Sequence, residues 1–230
     1  AMDYFGSIPL HLAAEWNAGD AVRTLIARRA VLQAQDKDGQ TPLHTAAVWG
    51  AEEAAQLLLE AGAAAAATGN RGQTPLHLTA KGTRRLFETT KGQHAIARLL
   101  LDHGAPTDAA MQDGTTTLHT AAREGDGELV RFLIERGATV DIKTSEGLTP
   151  LHKAIMYNQT PVVQLLLDKG ANIETRENHG KSPLHLAAEL GQGNMVRLLL
   201  DKAASATATD SEGRTPLHEP AGRGHETVVR

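Results

Sequence analysis

The sequence repeats itself, and histidine carries the repeat. His11, His44, His77, His119, His152, His185 and His218 each stand in Pro-Leu-His or a near variant, spaced 33, 33, 42, 33, 33 and 33 residues apart. A glycine lies five residues before every one of them, at Gly6, Gly39, Gly72, Gly114, Gly147, Gly180 and Gly213. A fixed period of this length means a linear array, in which each unit buries its apolar face only against its neighbours. Phe, Trp and Tyr supply only seven of 230 residues, so the core must be built from Ala, Leu, Val and Ile. Small side chains suit closely spaced helices better than a β-sandwich, and the expected class is all-α.

The clearest unit runs Asp36-Lys37-Asp38-Gly39-Gln40-Thr41-Pro42-Leu43-His44-Thr45-Ala46-Ala47. Asp-x-x-Gly predicts a turn, with glycine where a positive φ is easily adopted. Thr41 is placed to cap a helix through its hydroxyl, and Pro42 fits the first helical position, where a backbone donor would be unpaired anyway. Ala46 and Ala47 keep the packing face small. A second helix after Gly50 carries apolar residues at i, i+3 and i+4: Ala55, Leu58 and Leu59 here, Val22, Leu25 and Ile26 before it, and Val130, Leu133 and Ile134, Val163, Leu166 and Leu167, and Val196, Leu199 and Leu200 after it. Gly62, Gly104, Gly137 and Gly170 end it. The unit is turn, helix, helix.

These residues resemble those of the ankyrin-repeat family, whose unit of about 33 residues contains Thr-Pro-Leu-His-x-Ala. The resemblance covers essentially the whole chain. It implies an all-α ankyrin-repeat solenoid of helix-turn-helix units joined by β-hairpin-like loops, with hairpin tips on one side, first helices lining a concave face and second helices forming a convex back. One array over 1-230 is expected, with repeats at 2-34, 35-67, 68-109 (including a nine-residue insertion), 110-142, 143-175, 176-208 and a truncated 209-230.

Departures from the pattern mark units expected to be weaker. Ile8 replaces the capping Thr, Thr117 replaces the first-turn Pro, and Arg29 and Ala203 stand where other units have the helix-ending Gly. Ala63 to Ala67 should make a plain turn. The last unit stops at Arg230 before the leucines of a second helix, and Pro220 stands where most copies have Ala. The expectation is a frayed C-terminal unit in a fragment of a longer protein.

Little in the sequence suggests catalysis. Seven of the eleven histidines are the repeat histidines, whose imidazoles can bond backbone groups of their own or the adjacent hairpin and so tie neighbouring units. The other four, His94, His103, His179 and His225, form no metal-binding i, i+4 pair. Gly125-Asp126-Gly127 and Gly191-Gln192-Gly193 resemble pieces of a dinucleotide fingerprint but fall in turns between helices, without the strand that fingerprint needs. No phosphate loop or nucleophile elbow is present. No catalytic, cofactor or metal residue is assigned.

What remains is surface. The last two residues of the first helix vary between units: Glu15-Trp16, Val48-Trp49, Arg123-Glu124, Met156-Tyr157, Glu189-Leu190 and Gly222-Arg223. In register Trp16, Trp49 and Tyr157 face the groove, with the tryptophans as neighbours about 10 Å apart, the usual helix spacing. Exposed Trp and Tyr are the side chains that most often carry interface energy. The alternative is that they pack on the next helix or a loop. The insertion, within Lys81 to Lys91, holds Lys81, Arg84, Arg85 and Lys91 around Leu86 and Phe87: a basic finger suited to an acidic segment of a partner, or a solvated loop whose Leu86-Phe87 tucks back. The candidate protein-binding residues are therefore Trp16, Trp49, Lys81, Arg84, Arg85, Phe87, Arg123, Glu124, Met156, Tyr157 and Leu190.

The expected function is non-catalytic protein-protein recognition through the concave face and hairpin tips, by a partner the sequence does not name. The runner-up is a sensing or docking segment of a larger signalling protein or enzyme, acting intramolecularly. A net charge of −4 and a pI near 6.3 offer no general attraction to phosphate, so nucleic acid is disfavoured. No apolar run approaches the roughly 20 residues needed to span a bilayer, so no membrane is expected. A chain without cysteine needs no oxidising compartment, and a cytoplasmic or nuclear setting is expected.

Overall fold

The computed structural model describes residues 2–81 and 88–218. Among them it holds twelve α-helices and no β-strand. The architecture is an all-α solenoid, and no helix among the described residues is long and apolar enough to cross a membrane. The chain divides into two compact units, Ala1–Gln112 and Asp113–Arg230. The first contains α1 (Pro9–Glu15), α2 (Gly19–Ala27), α3 (Pro42–Trp49), α4 (Glu52–Glu60), α5 (Pro75–Thr79) and α6 (Glu88–Asp102). The second contains α7 (Thr117–Glu124), α8 (Gly127–Glu135), α9 (Pro150–Met156), α10 (Thr160–Asp168), α11 (Pro183–Glu189) and α12 (Gly193–Asp201).

Each hairpin tip is the turn the sequence predicts. In the second repeat Gly39, at φ +73°, donates to the Asp36 carbonyl, Asp36 donates to that of Gln40, and the Asp36 carboxylate accepts the amides of Asp38 and Gln40. Successive tips are then laced together by one backbone bond each. Lys37 N–H donates to Phe5 O and Asn70 N–H to Asp38 O in the first unit; Asn178 N–H donates to Glu146 O and Ser211 N–H to His179 O in the second.

The first helices carry a histidine at their third position, all but α7 begin with proline, and the hydroxyl before all but α1 closes a capping box. Thr41 and His44 form such a box: Thr41 Oγ1 lies 2.9 Å from His44 Nδ1, which also accepts the Thr41 amide at 3.1 Å, and at the equivalent place the Thr149 hydroxyl accepts the His152 amide at 3.4 Å. The same pairs recur at Thr74 and His77, Thr116 and His119, and Ser182 and His185. Because Nδ1 accepts, the ring proton sits on Nε2, which reaches the backbone 29 residues further on: Gln40 O from His11, Gln73 O from His44, Leu148 O from His119 and Arg214 O from His185, all 2.9–3.1 Å. Each imidazole thus closes its own helix start and holds the next hairpin. Burial pushes His44, His119 and His152 down to about 4, only partly offset at His44 and His119 by the carbonyls of Gln73 and Leu148. They are neutral at pH 7. Nε2 of His152 is buried and lacks a partner of hydrogen-bonding geometry.

The core lies between the helix layers. Leu10, Leu43 and Leu76 of the first unit and Leu118 and Leu151 of the second are fully buried, and Ala46 and Ala47 are too, so the helices approach closely. Second helices bury Val22, Leu58, Leu100, Leu133, Leu166 and Leu199 completely. In four of the five expected apolar triplets the third member is less covered: Ile26, Ile134 and Leu167 are half-buried and Leu200 is exposed, while Leu59 is buried.

The third repeat departs from the expected loop. The stretch from Glu88 to Lys91 begins α6, which has 15 residues where other second helices have nine. Part of the insertion is therefore a helical extension. Its course brings Gly92 against the second repeat, where a Cβ would fall 2.2 Å from the Gly50 carbonyl oxygen, so only glycine fits. The expected fraying from Glu219 onward, including the effect of Pro220, falls outside the described residues.

Candidate protein-binding surface

The ends of the first helices are held by a side chain the sequence reading passed over. Gln159 donates from Nε2 to Arg123 O at 3.0 Å, and Gln192 to Ile155 O at 2.9 Å. In the first unit Gln93 does the same to Val48 O at 3.0 Å, and the Asn17 side chain accepts the Ala54 amide. These amides fix the helix ends on which the candidate residues sit. The signal was legible: Gln93, Gln159 and Gln192 share one register position, with Asp126 in the fourth unit.

In the first unit the two tryptophans do not form the single patch expected of them. Trp16 is 78% exposed and lines a depression of about 650 Å³ with Pro9, Leu12, Ala21 and Leu25, on the flank of the first repeat opposite buried Leu10 and Ala14. Trp49 is half-buried and lines a separate depression of about 370 Å³, with Phe5, Leu12 and Val48 as its other apolar wall. Leu12 touches both. The two rings hold equivalent positions, yet Trp49 shares its depression with Phe5, Leu12 and Glu15 of the first repeat, whereas the depression beside Trp16 is lined by its own repeat alone. Asp3, Glu15, Asp36 and Asp38 edge the Trp49 depression. Lys81 is exposed; Arg84, Arg85 and Phe87 lie outside the described residues.

In the second unit the corresponding positions come together. The Arg123 guanidinium pairs with Glu124 at 2.7 Å and stands 5.9 Å from the centre of the Tyr157 ring. Met156 is 41% exposed, Tyr157 54% and Leu190 47%, so three large apolar side chains meet solvent at the ends of α9 and α11. Beside them Lys181 and Glu189 form a largely covered ion pair at 2.6 Å. This edge is apolar and aromatic, rimmed by charges that are already paired.

A family model described as ankyrin repeats (3 copies) matches residues 1–68, 61–144, 86–177, 121–210 and 174–230, overlapping spans that together run the length of the chain. The chain belongs to the ankyrin-repeat family. Its fold is similar to that of the human ASB11 ankyrin repeat domain, with a TM-score of 0.82 and 26% identity over 97% of each chain. It is also similar to the ankyrin repeat domain of Bcl-3, a member of the IkappaB protein family, with a TM-score of 0.81 and 32% identity over 98% of this chain and 99% of that one. No match is found among curated proteins. Ankyrin repeats generally mediate protein-protein interaction, and nothing in these resemblances names a partner.

Proposed function

We propose that this ankyrin array is a non-catalytic scaffold that recognises a protein partner through the ends of its first helices and its hairpin tips, in the cytoplasm or nucleus. Nucleic acid is disfavoured as a partner by the chain's net negative charge. The observation that carries the reading is the exposure of Met156, Tyr157 and Leu190 at matching places on two successive first helices whose remaining faces are packed. Large apolar and aromatic side chains presented on rigid elements lose little entropy on binding, and they dominate interface energies. A photo-cross-linker at Met156, compared with one at exposed Arg131 on the second-helix side, tests this in cell extract. The reading expects a partner adduct from Met156 alone, lost when Tyr157 and Leu190 are replaced by Ala. Adducts formed only from Arg131 would overturn it.

A further inference from the structure

We infer that the depression between α1 and α3 accepts a cationic side chain, an arginine or lysine set among apolar residues in an extended segment of a protein partner. The inference rests on the scaffold reading and deepens it by giving the partner a chemistry.

The depression, about 370 Å³, is within the size range of ligand sites. Its apolar wall is Phe5, Leu12, Val48 and Trp49, and its acidic lining is Asp3, Glu15, Asp36 and Asp38; His11 also lines it, with its Nε2 turned to the Gln40 carbonyl, and no lysine or arginine does. One oxygen of Asp3 is taken by the amides of Phe5 and Ser7, and one of Asp36 by those of Asp38 and Gln40, and the second oxygen of each has no bond among the described residues. Glu15 and Asp38 accept no side-chain bond and enter no ion pair among the described residues. This departs from the chain's habit elsewhere, where Arg23 meets Glu53 and Lys202 meets Asp168 across repeats. A cleft lined by one sign of charge over apolar walls focuses its field and draws in the opposite charge.

The shape of that opposite charge follows from the walls. Among the described residues no three carboxylates or histidines are grouped closely enough to hold a metal ion, so the carboxylates edge a space rather than form a chelate. A long side chain with an apolar stem and a charged head matches a slot whose sides are apolar and whose edge is anionic. Aromatic faces favour the same head group. The protein makes this contact at the margin of the site: Lys37 Nζ sits 4.2 Å above the ring of Tyr4, which is packed edge to face with Phe5. Phe5, 69% exposed, keeps a free surface toward solvent.

The test uses the full chain and two fluorescent pentapeptides, Leu-Arg-Leu-Arg-Leu and Leu-Glu-Leu-Glu-Leu, titrated at low and moderate salt. The arginine peptide is expected to bind and the glutamate peptide not, with affinity falling as salt rises. Glu15→Gln combined with Asp38→Asn should weaken the arginine peptide at least tenfold. Neither carboxylate supports the fold through its side chain, so circular dichroism should be unchanged. Asn194→Ala, at an exposed position of α12 in the second unit, should leave the affinity as it was. Equal binding of both peptides, binding of neither, or an affinity indifferent to the two neutral substitutions would overturn the inference. Should the peptides fail while cross-linking at Met156 still captures a partner, the cationic chemistry falls and the scaffold reading stands.

Discussion

The buried amide of Gln93 donates to the carbonyl oxygen of Lys81, 3.1 Å away and twelve residues earlier in the chain, while also reaching Val48 O at 3.0 Å. One side chain therefore clamps the two feet of the third-repeat insertion and fastens them to the second repeat. Its register position is that of Asp126, Gln159 and Gln192, the residues that precede second helices of ordinary length. Deleting residues 82 to 90 should therefore leave a normal repeat with Gln93 at the head of its second helix. Closing a shorter connection changes the loop entropy by only about 0.6 kcal/mol per halving of length. The melting temperature is expected to move by no more than a few degrees, whereas Gln93→Ala, which removes both part-buried bonds, should cost about 0.5–1.5 kcal/mol per bond. Thermal unfolding of the two variants checks this, and a larger loss from the deletion would show that the finger belongs to the core.

Thr117 shows what the repeat pattern is for. Where five other copies start the first helix with proline, Thr117 places a hydroxyl that is buried without a hydrogen-bond partner. Thr117→Pro removes that orphan and restricts the unfolded chain at a position whose backbone already suits proline. A stabilisation of about 1 kcal/mol is expected from urea unfolding. A destabilised variant would mean that the hydroxyl is bonded in solution.

Glycine substitutions should sort by what surrounds them. Arg29 and Ala203 hold left-handed backbone, φ +60° and +65°, at the register position where Gly62, Gly137 and Gly170 end the other second helices. Arg29→Gly and Ala203→Gly should each stabilise the chain by about 1 kcal/mol. Gly39→Ala goes the other way. Its new Cβ would meet Asn70 N at 2.7 Å, inside the bond that laces the second and third tips, so the loss should exceed that of Gly62→Ala, which meets no atom within 4 Å. Chemical denaturation of the four variants gives the order.

The period made the helices, the turns, the proline starts and the histidine register legible, because all of these are local or recur at a fixed distance. What escaped was set by neighbours rather than by the unit. Trp16 and Trp49 are equivalent in sequence, yet Trp49 lines a depression shared with the preceding repeat and Trp16, in the first repeat, lines one made by its own repeat alone. The insertion read as a loop by subtraction, but Glu88 to Lys91 continue into α6 because nothing stops a helix running backwards from Gly92. The carboxylates edging the Trp49 depression come from two hairpin tips and a helix end, and Asp36 looked fully explained as a turn residue. Only their convergence in space makes them a site.

The neutral histidines make stability depend on pH in a specific window. His44, His119 and His152 have folded pKa values of about 4 against 6.5 in an unconstrained chain, because burial disfavours the charged ring. Between these values the unfolded chain binds protons that the folded chain does not, so stability falls as pH is lowered from about 6.5 toward 4; below that both states are protonated and this contribution stops changing. Each histidine can add a slope of up to about 1.4 kcal/mol per pH unit. Protonation would also convert Nδ1 from acceptor to donor, facing the amide of Thr41, Thr116 or Thr149 that now donates to it. At His44 and His119, where Nε2 also holds the next hairpin, helix start and hairpin tie would be strained together. Urea midpoints followed by circular dichroism at pH 7.5, 6.5, 5.5 and 5.0 should fall steadily over the last three. In most of that window ordinary carboxylates remain ionised, so the decline can be assigned to histidine. A midpoint that stays flat to pH 5.0 would show that these rings find water or a partner when charged, and that they do not hold the repeats together through their neutral form.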